Sequence, residues 1–136
     1  MKKLFLLIFF VNLLCEDYIG EVFNGDEFHK LFKQRFVKLT NKDCHHKEIV
    51  YKEGFIKDVL EFSPYGECSN GGLYFTEFEK FPMWTYFRFE PMYYMWDVSI
   101  PKNCSVYVEV DKFKASCFYI KNKTEKIYSA AVKQDG

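Results

Sequence analysis

The sequence lacks an excess of either charge, because 19 lysines and arginines stand against 19 aspartates and glutamates. Without a basic surplus it has no electrostatic footprint for nucleic acid, and without an acidic run it has no solvated acidic tail. Glycine and proline are scarce, 7 and 4 in 136 residues, and there is no internal repeat or low-complexity tract. Solenoid architectures are thereby excluded, and no linker is long enough to divide the chain. No uninterrupted apolar run reaches the roughly 20 residues that a helix needs to cross a bilayer. No second Cys or His stands at zinc-site spacing from the Cys44-His45-His46 triplet, whose consecutive side chains diverge. That triplet reads as an exposed polar turn, and no metal or other cofactor is implied.

Aromatic residues are abundant, with 16 Phe, 10 Tyr and 2 Trp making 21% of the chain. The N-terminus has the layout of a secretory signal peptide over residues 1–15. Lys2 and Lys3 form a positive start, Leu4 to Val11 form an apolar stretch too short to span, and cleavage is expected after Cys15. The alternative for this segment is a buried N-terminal helix. The rest of the chain, residues 16–136, is long enough for one domain with one core and no stable membrane span.

Cysteine usage agrees with export. Removing Cys15 leaves Cys44, Cys68, Cys104 and Cys117, an even number with three pairings open in an oxidising lumen. Asn103-Cys104-Ser105 and Asn122-Lys123-Thr124 match the glycosylation acceptor pattern, so Asn103 and Asn122 are candidate glycan sites. Asn103 is the poorer acceptor, since the cysteine beside it is a disulfide candidate.

Local patterns predict a small α+β domain, a mostly antiparallel sheet with two short helices. Asp26 can cap a helix over residues 26–35, with Phe28, Leu31, Phe32 and Arg35 on one stripe. Residues 36–40 read as a strand and Asn41-Lys42-Asp43 as a turn, then Ile49-Val50-Tyr51 as a second short strand ended by Gly54. Leu73-Tyr74-Phe75 reads as a strand. Thr76 and Glu79 have the order of a capping box, predicting a helix from Glu77 that Pro82 keeps short or bent. Residues 94–100 alternate with a period of two. Residues 106–110 and 113–120 flank Asp111-Lys112 as a hairpin, and a two-residue turn would set Val110 opposite Phe113. In that register Cys104 is a diagonal neighbour of Cys117, about 7 to 8 Å away, so their bridge is no better supported than pairings with Cys44 or Cys68.

No cysteine has a local base or oxyanion donors, and the capping role together with helix N-terminal charge accounts for Glu79 and Glu77 as a carboxylate pair. The chain therefore reads as non-enzymatic. The aromatic density from Phe75 to Trp96 exceeds what so small a core can hide, and predicts an exposed recognition patch.

The succession Phe36-Val37-Lys38-Leu39-Thr40-Asn41, Tyr51-Lys52-Glu53-Gly54, Cys68-Ser69-Asn70-Gly71-Gly72-Leu73-Tyr74-Phe75-Thr76, Asp97-Val98-Ser99-Ile100-Pro101 and Lys112-Phe113-Lys114-Ala115 resembles the N-terminal domain that precedes the repeats in ankyrin-repeat proteins of mimivirus-like giant viruses. The likeness covers residues 36–120, and no ankyrin repeat comes after it. In those proteins the repeats would supply the partner-binding surface, so the resemblance lends this domain no function. The signal peptide, the aromatic excess and the lack of an assembled active site are what point to a viral-type interaction domain whose partner is a host or virion protein. The resemblance also sets host cytoplasm, where thiols stay reduced, as the alternative to secretion. A weaker resemblance, through Gly72-Leu73-Tyr74-Phe75-Thr76, is to ADP-ribosyltransferases of the poly-ADP-ribose polymerase type. The His-Gly of that family's first strand and a catalytic glutamate are missing here. A decayed fragment of a repeat protein is the third reading.

Overall fold

The computed structural model describes residues 17–65, 70–87 and 90–125, with the backbone alone at residues 86, 87 and 90. Strand β1 (Val22–Asn24) leads straight into helix α1 (Gly25–Leu31). Asn24, not Asp26, is the cap: its Oδ1 accepts from the Glu27 amide at 2.9 Å, and Glu27 Oε1 accepts from the Asn24 amide at 3.1 Å. This reciprocal box leaves Asp26 in the first turn, where its charge favours the helix's positive end. Phe32 is already extended, at φ −118° and ψ 105°, so the helix ends before Arg35. Gly25 lies against the carbonyls of Ile100 and Pro101, where a Cβ would collide with both.

The remaining elements are β2 (Phe36–Thr40), β3 (His45–His46), β4 (Ile49–Val50), β5 (Gly54–Lys57), β6 (Leu73–Glu77), a 3-10 helix (Phe78–Trp84), β7 (Tyr86–Phe87), β8 (Glu90–Pro91), β9 (Tyr94–Ser99), β10 (Ser105–Val108), β11 (Phe113–Ala115) and β12 (Cys117–Thr124). Eight strands form one sheet in the order β1-β10-β11-β6-β2-β9-β12-β5, with antiparallel pairings, and β3-β4 and β7-β8 are separate small ladders. The fold is thus the expected single α+β domain, mostly antiparallel with two short helices.

The sheet curls on itself because two of its strands change partners. β6 pairs with β11 through Leu73 to Phe75 and with β2 through Thr76 and Glu77. β11 runs through Ser116 into β12, which pairs with β9, itself paired with β2. The circuit β2-β9-β12/β11-β6 therefore closes around a core of phenylalanines. Phe28 from α1 meets Phe36 at 4.8 Å, Phe113 at 5.2 Å and Phe75 at 5.9 Å, and Phe75 stacks on Phe113 at 5.3 Å. A second cluster of Val37, Leu39, Phe81, Met92 and Met95 covers the other face of β2 and β9. Both faces of these strands are thus buried, which is why Met95 is inside although the alternation of residues 94–100 put it outside.

Four further expectations are corrected. The Thr76–Glu79 box does not form, because the strand continues through Glu77, and Thr76 Oγ1 donates to the Asp111 carbonyl at 3.3 Å. Glu77 precedes the 3-10 helix with no side-chain cap. Gly54 opens β5 at φ 123° instead of closing the strand before it. The β10–β11 hairpin has a longer loop: Val108 faces Phe113, and Glu109 to Lys112 turn the chain. The Glu109 amide donates to the Lys112 carbonyl at 3.0 Å, the two side chains pair at 3.8 Å, and Val110 stands exposed in the loop.

Candidate functional site

The chemically most unusual place is a cleft where β2 and β6 part. The two strands pair only at Phe36–Glu77 and Val37–Thr76 and then diverge. The Tyr74 carbonyl, which the ladder would otherwise have engaged, accepts instead from Lys38 Nζ at 2.7 Å. A lysine can serve here because its long stem spans the opened gap, whereas a backbone amide on β2 cannot reach. Lys38 is 1% exposed, and its amine also meets His46 Nδ1 and lies 4.9 Å from the Tyr51 ring centre.

Three more lysines come to Tyr74 from other elements. Lys112, Lys47 and Lys114 lie 4.7, 4.8 and 5.3 Å from its ring centre. Lys112 also lies 5.0 Å from the Trp84 ring, and Lys114 Nζ donates to the Ser63 and Asn70 carbonyls at 2.6 and 3.0 Å. Burial pushes the Lys38 amine well below the ordinary lysine range, and the charges of Lys47 and Lys112 push in the same direction. The same desolvation lowers Lys114 and raises the Tyr51 phenol. Val37, Leu39, Phe75, Trp84 and Met92 line the rest of the cleft, a cavity of about 80 Å³. It adjoins a polar cavity of about 560 Å³ beside Asn41, His45, Glu48 and Asp58, the two sharing His46, Lys47 and Met92.

The Cys44-His45-His46 triplet is therefore not an exposed turn. Asn41 Oδ1 accepts from the Asp43 and His45 amides at 2.9 and 2.8 Å, and this turn feeds a short strand. His45 and His46 are half-buried, and Cys44 packs on the main core without a disulfide among the described residues. No group of three metal-ligating side chains occurs among the described residues. Nothing in the sequence signalled the lysine cleft, because Lys38, Lys112 and Lys114 look like ordinary polar positions of strands and turns.

The aromatic stretch also resolves differently from its expectation. Phe75, Phe81 and Trp96 are buried, and Phe78, Trp84, Tyr93 and Tyr94 are partly covered. The side chains of Tyr86, Phe87 and Phe89 lie outside the described residues. Two exposed rings stand at the far edge of the sheet, where Phe55 on β5 and Tyr119 on β12 lie directly opposite each other, 49% and 48% exposed, with ring centres 5.3 Å apart. A third, Tyr65, is 74% exposed and lies 6.2 Å from the Tyr107 ring of β10. Val59 and Leu60, just beyond β5, are 98% and 53% exposed. Among the described residues β5 is the last strand of the sheet, paired on one side only.

Cys104 and Cys117 form a disulfide, with Cα atoms 5.4 Å apart. The longer hairpin loop makes this bridge, because moving the register by two residues turns the diagonal pair into a facing one. Cys68 and the signal-type segment, residues 1–15, lie outside the described residues. No helix among the described residues is long and apolar enough to cross a membrane. Asn103 is exposed in the turn before Cys104. Asn122, at φ 57°, donates its side-chain amide to Asp97 Oδ2 at 3.0 Å, and Asp97 in turn holds Arg35 at 2.8 Å. Compared with known proteins, the chain matches no family model, no curated protein and no solved structure.

Proposed function

We propose that the chain is a non-enzymatic protein-interaction domain of viral type, acting in the secretory lumen or outside the cell on a host or virion protein. The observation that carries this reading is the open edge of β5 with its exposed Phe55–Tyr119 pair. Sheet edges are ordinarily blunted by proline, bulges or a covering element, and large exposed apolar groups next to an open ladder suit a partner that adds its own surface. The Cys104–Cys117 bridge and the signal-type N-terminus support the oxidising compartment.

A photo-crosslinking residue placed at position 55 of the full chain, expressed in a eukaryotic secretory host, tests the reading. Position 55 is expected to crosslink to protein, and position 102, exposed in the β9–β10 turn, to give only background. Background yields at both positions would overturn it.

A second reading, a degenerate ADP-ribosyltransferase, is favoured by one observation, the two cavities that its Gly-Leu-Tyr-Phe-Thr segment lines, one at Tyr74 to Thr76 and the other at Gly72. Calorimetry with nicotinamide adenine dinucleotide tests it, and no heat of binding at millimolar ligand would remove it.

A further inference from the structure

We infer that the cleft between β2 and β6 binds a small apolar carboxylate, its head held by Lys47, Lys112 and the Trp84 indole and its tail by the apolar wall. The inference goes beyond the β5 interface and does not depend on it. Tyr74 aside, the ionisable side chains that line this cleft are all bases, namely Lys38, His46, Lys47 and Lys112, and no carboxylate lines it among the described residues. Glu109, which pairs with Lys112 at 3.8 Å, and Asp58 line the neighbouring cavities instead. Lys47 and Lys112 meet over one ring, 4.8 and 4.7 Å from the centre of Tyr74. Their charges weigh on the buried Lys38 amine, and a bound anion would offset this crowding of like charge.

An orphaned donor is the second, independent observation. Trp84 Nε1 is buried and has no hydrogen-bond acceptor among the described residues. Its ring lines the cleft and lies 5.0 Å from the Lys112 amine. A buried indole N–H without an acceptor costs stability, so it marks a place where an oxygen of a ligand belongs. The ammonium beside it selects a charged oxygen over a neutral one.

The rest of the wall sets the other half of the ligand. It is built from Val37, Leu39, Phe75 and Met92. A cavity of about 80 Å³ is about half the roughly 150 Å³ that takes up benzene, so it accepts an apolar tail of about three or four carbons. Inorganic phosphate or sulfate would lose its hydration there without gaining an apolar contact. A monoanionic carboxylate with a short alkyl tail meets both parts of the wall. The adjoining polar cavity, which shares His46, Lys47 and Met92 with the cleft, gives such a ligand its way in.

Isothermal titration calorimetry of the purified full chain with sodium valerate tests this, run at two temperatures so that a vanishing enthalpy is not read as no binding. Valerate is expected to bind, and each methylene from acetate to valerate to tighten binding about fourfold. The uncharged 1-pentanol is expected to bind at least about tenfold more weakly than valerate. Trp84→Phe removes the indole donor and keeps a ring, and is expected to weaken valerate at least about tenfold. Lys47→Met removes one charge from the partly exposed end of the cleft and is expected to weaken it at least about threefold. Near-ultraviolet circular dichroism confirms that each variant is folded, and the acetate-to-valerate series on the wild type tests the site without any variant. No heat of binding at millimolar valerate overturns the proposal. So does equal affinity for valerate and 1-pentanol, which would mean an apolar cavity alone, or for valerate and acetate, which would mean charge alone. Two folded variants that bind valerate as tightly as the wild type overturn it as well.

Discussion

Lys38→Met removes the amine that bridges the parted strands and keeps most of the side chain's volume. The Tyr74 carbonyl then loses a donor 2.7 Å away at a buried site, a loss worth about 1 to 3 kcal/mol for a polar group left unsatisfied. Against this the variant no longer desolvates an amine. The two effects separate by pH. In the folded chain the Lys38 amine lies well below its ordinary value of 10.5 because of burial and then Lys47 and Lys112, whereas the unfolded chain keeps the ordinary value. Between the two values the unfolded state binds more protons, so wild-type stability rises with pH, by at most about 1.4 kcal/mol per pH unit for one group. The variant lacks this contribution. Its deficit relative to wild type should therefore widen from pH 7 to pH 9, by up to about 2.7 kcal/mol across the two units. Urea unfolding followed by the fluorescence of Trp96, buried and donating to Thr40 Oγ1 at 2.9 Å, measures it. The Tyr51 phenol is pushed far up by burial and Asp58, and stopping at pH 9 keeps its titration in either state out of the comparison. Parallel pH slopes for the two proteins would refute the reasoning.

Two predictions concern other parts of the fold. Replacing Cys104 and Cys117 by alanine opens a loop of sequence separation 13 and should cost about 3 kcal/mol, read as a lower urea midpoint; peptide mapping without reductant that pairs Cys104 with another cysteine would refute the observed register. His29 accepts a hydrogen bond at Nε2 from the Ile100 amide at 3.0 Å, and its imidazole is lowered by burial, partly opposed by Asp26. Protonation of that nitrogen breaks the bond, so stability should fall as pH drops from about 6.5 through the lower folded value and then level off, and His29→Gln should flatten this step in melting temperature.

The sequence by itself determined the class of the fold and most of its local elements. Strand β2 comes from a β-branched and aromatic run, Phe28 is buried on a short helix with Phe32 buried just past its end, and Asn41 makes the turn that its side-chain chemistry favours. These choices depend on neighbours within a few residues, so they are legible along the chain. The cap was misplaced because Asn24 and Asp26 are both good caps, and only the path of β1 into the helix separates them.

Tertiary structure decided the rest. A hairpin shifted by two residues keeps every side chain on its original face, so hydrophobic alternation could not distinguish a two-residue loop from the observed one. The choice fell to pairing with β1 on one side and β6 on the other, and with it came the Cys104–Cys117 bridge. The burial of Lys38 depends on two strands parting after Val37–Thr76. That Phe55 and Tyr119 remain exposed depends on which strand ends the sheet, and β5 does so although it lies early in the chain. Each of these outcomes joins residues far apart in sequence, and a local pattern carries no record of such a meeting.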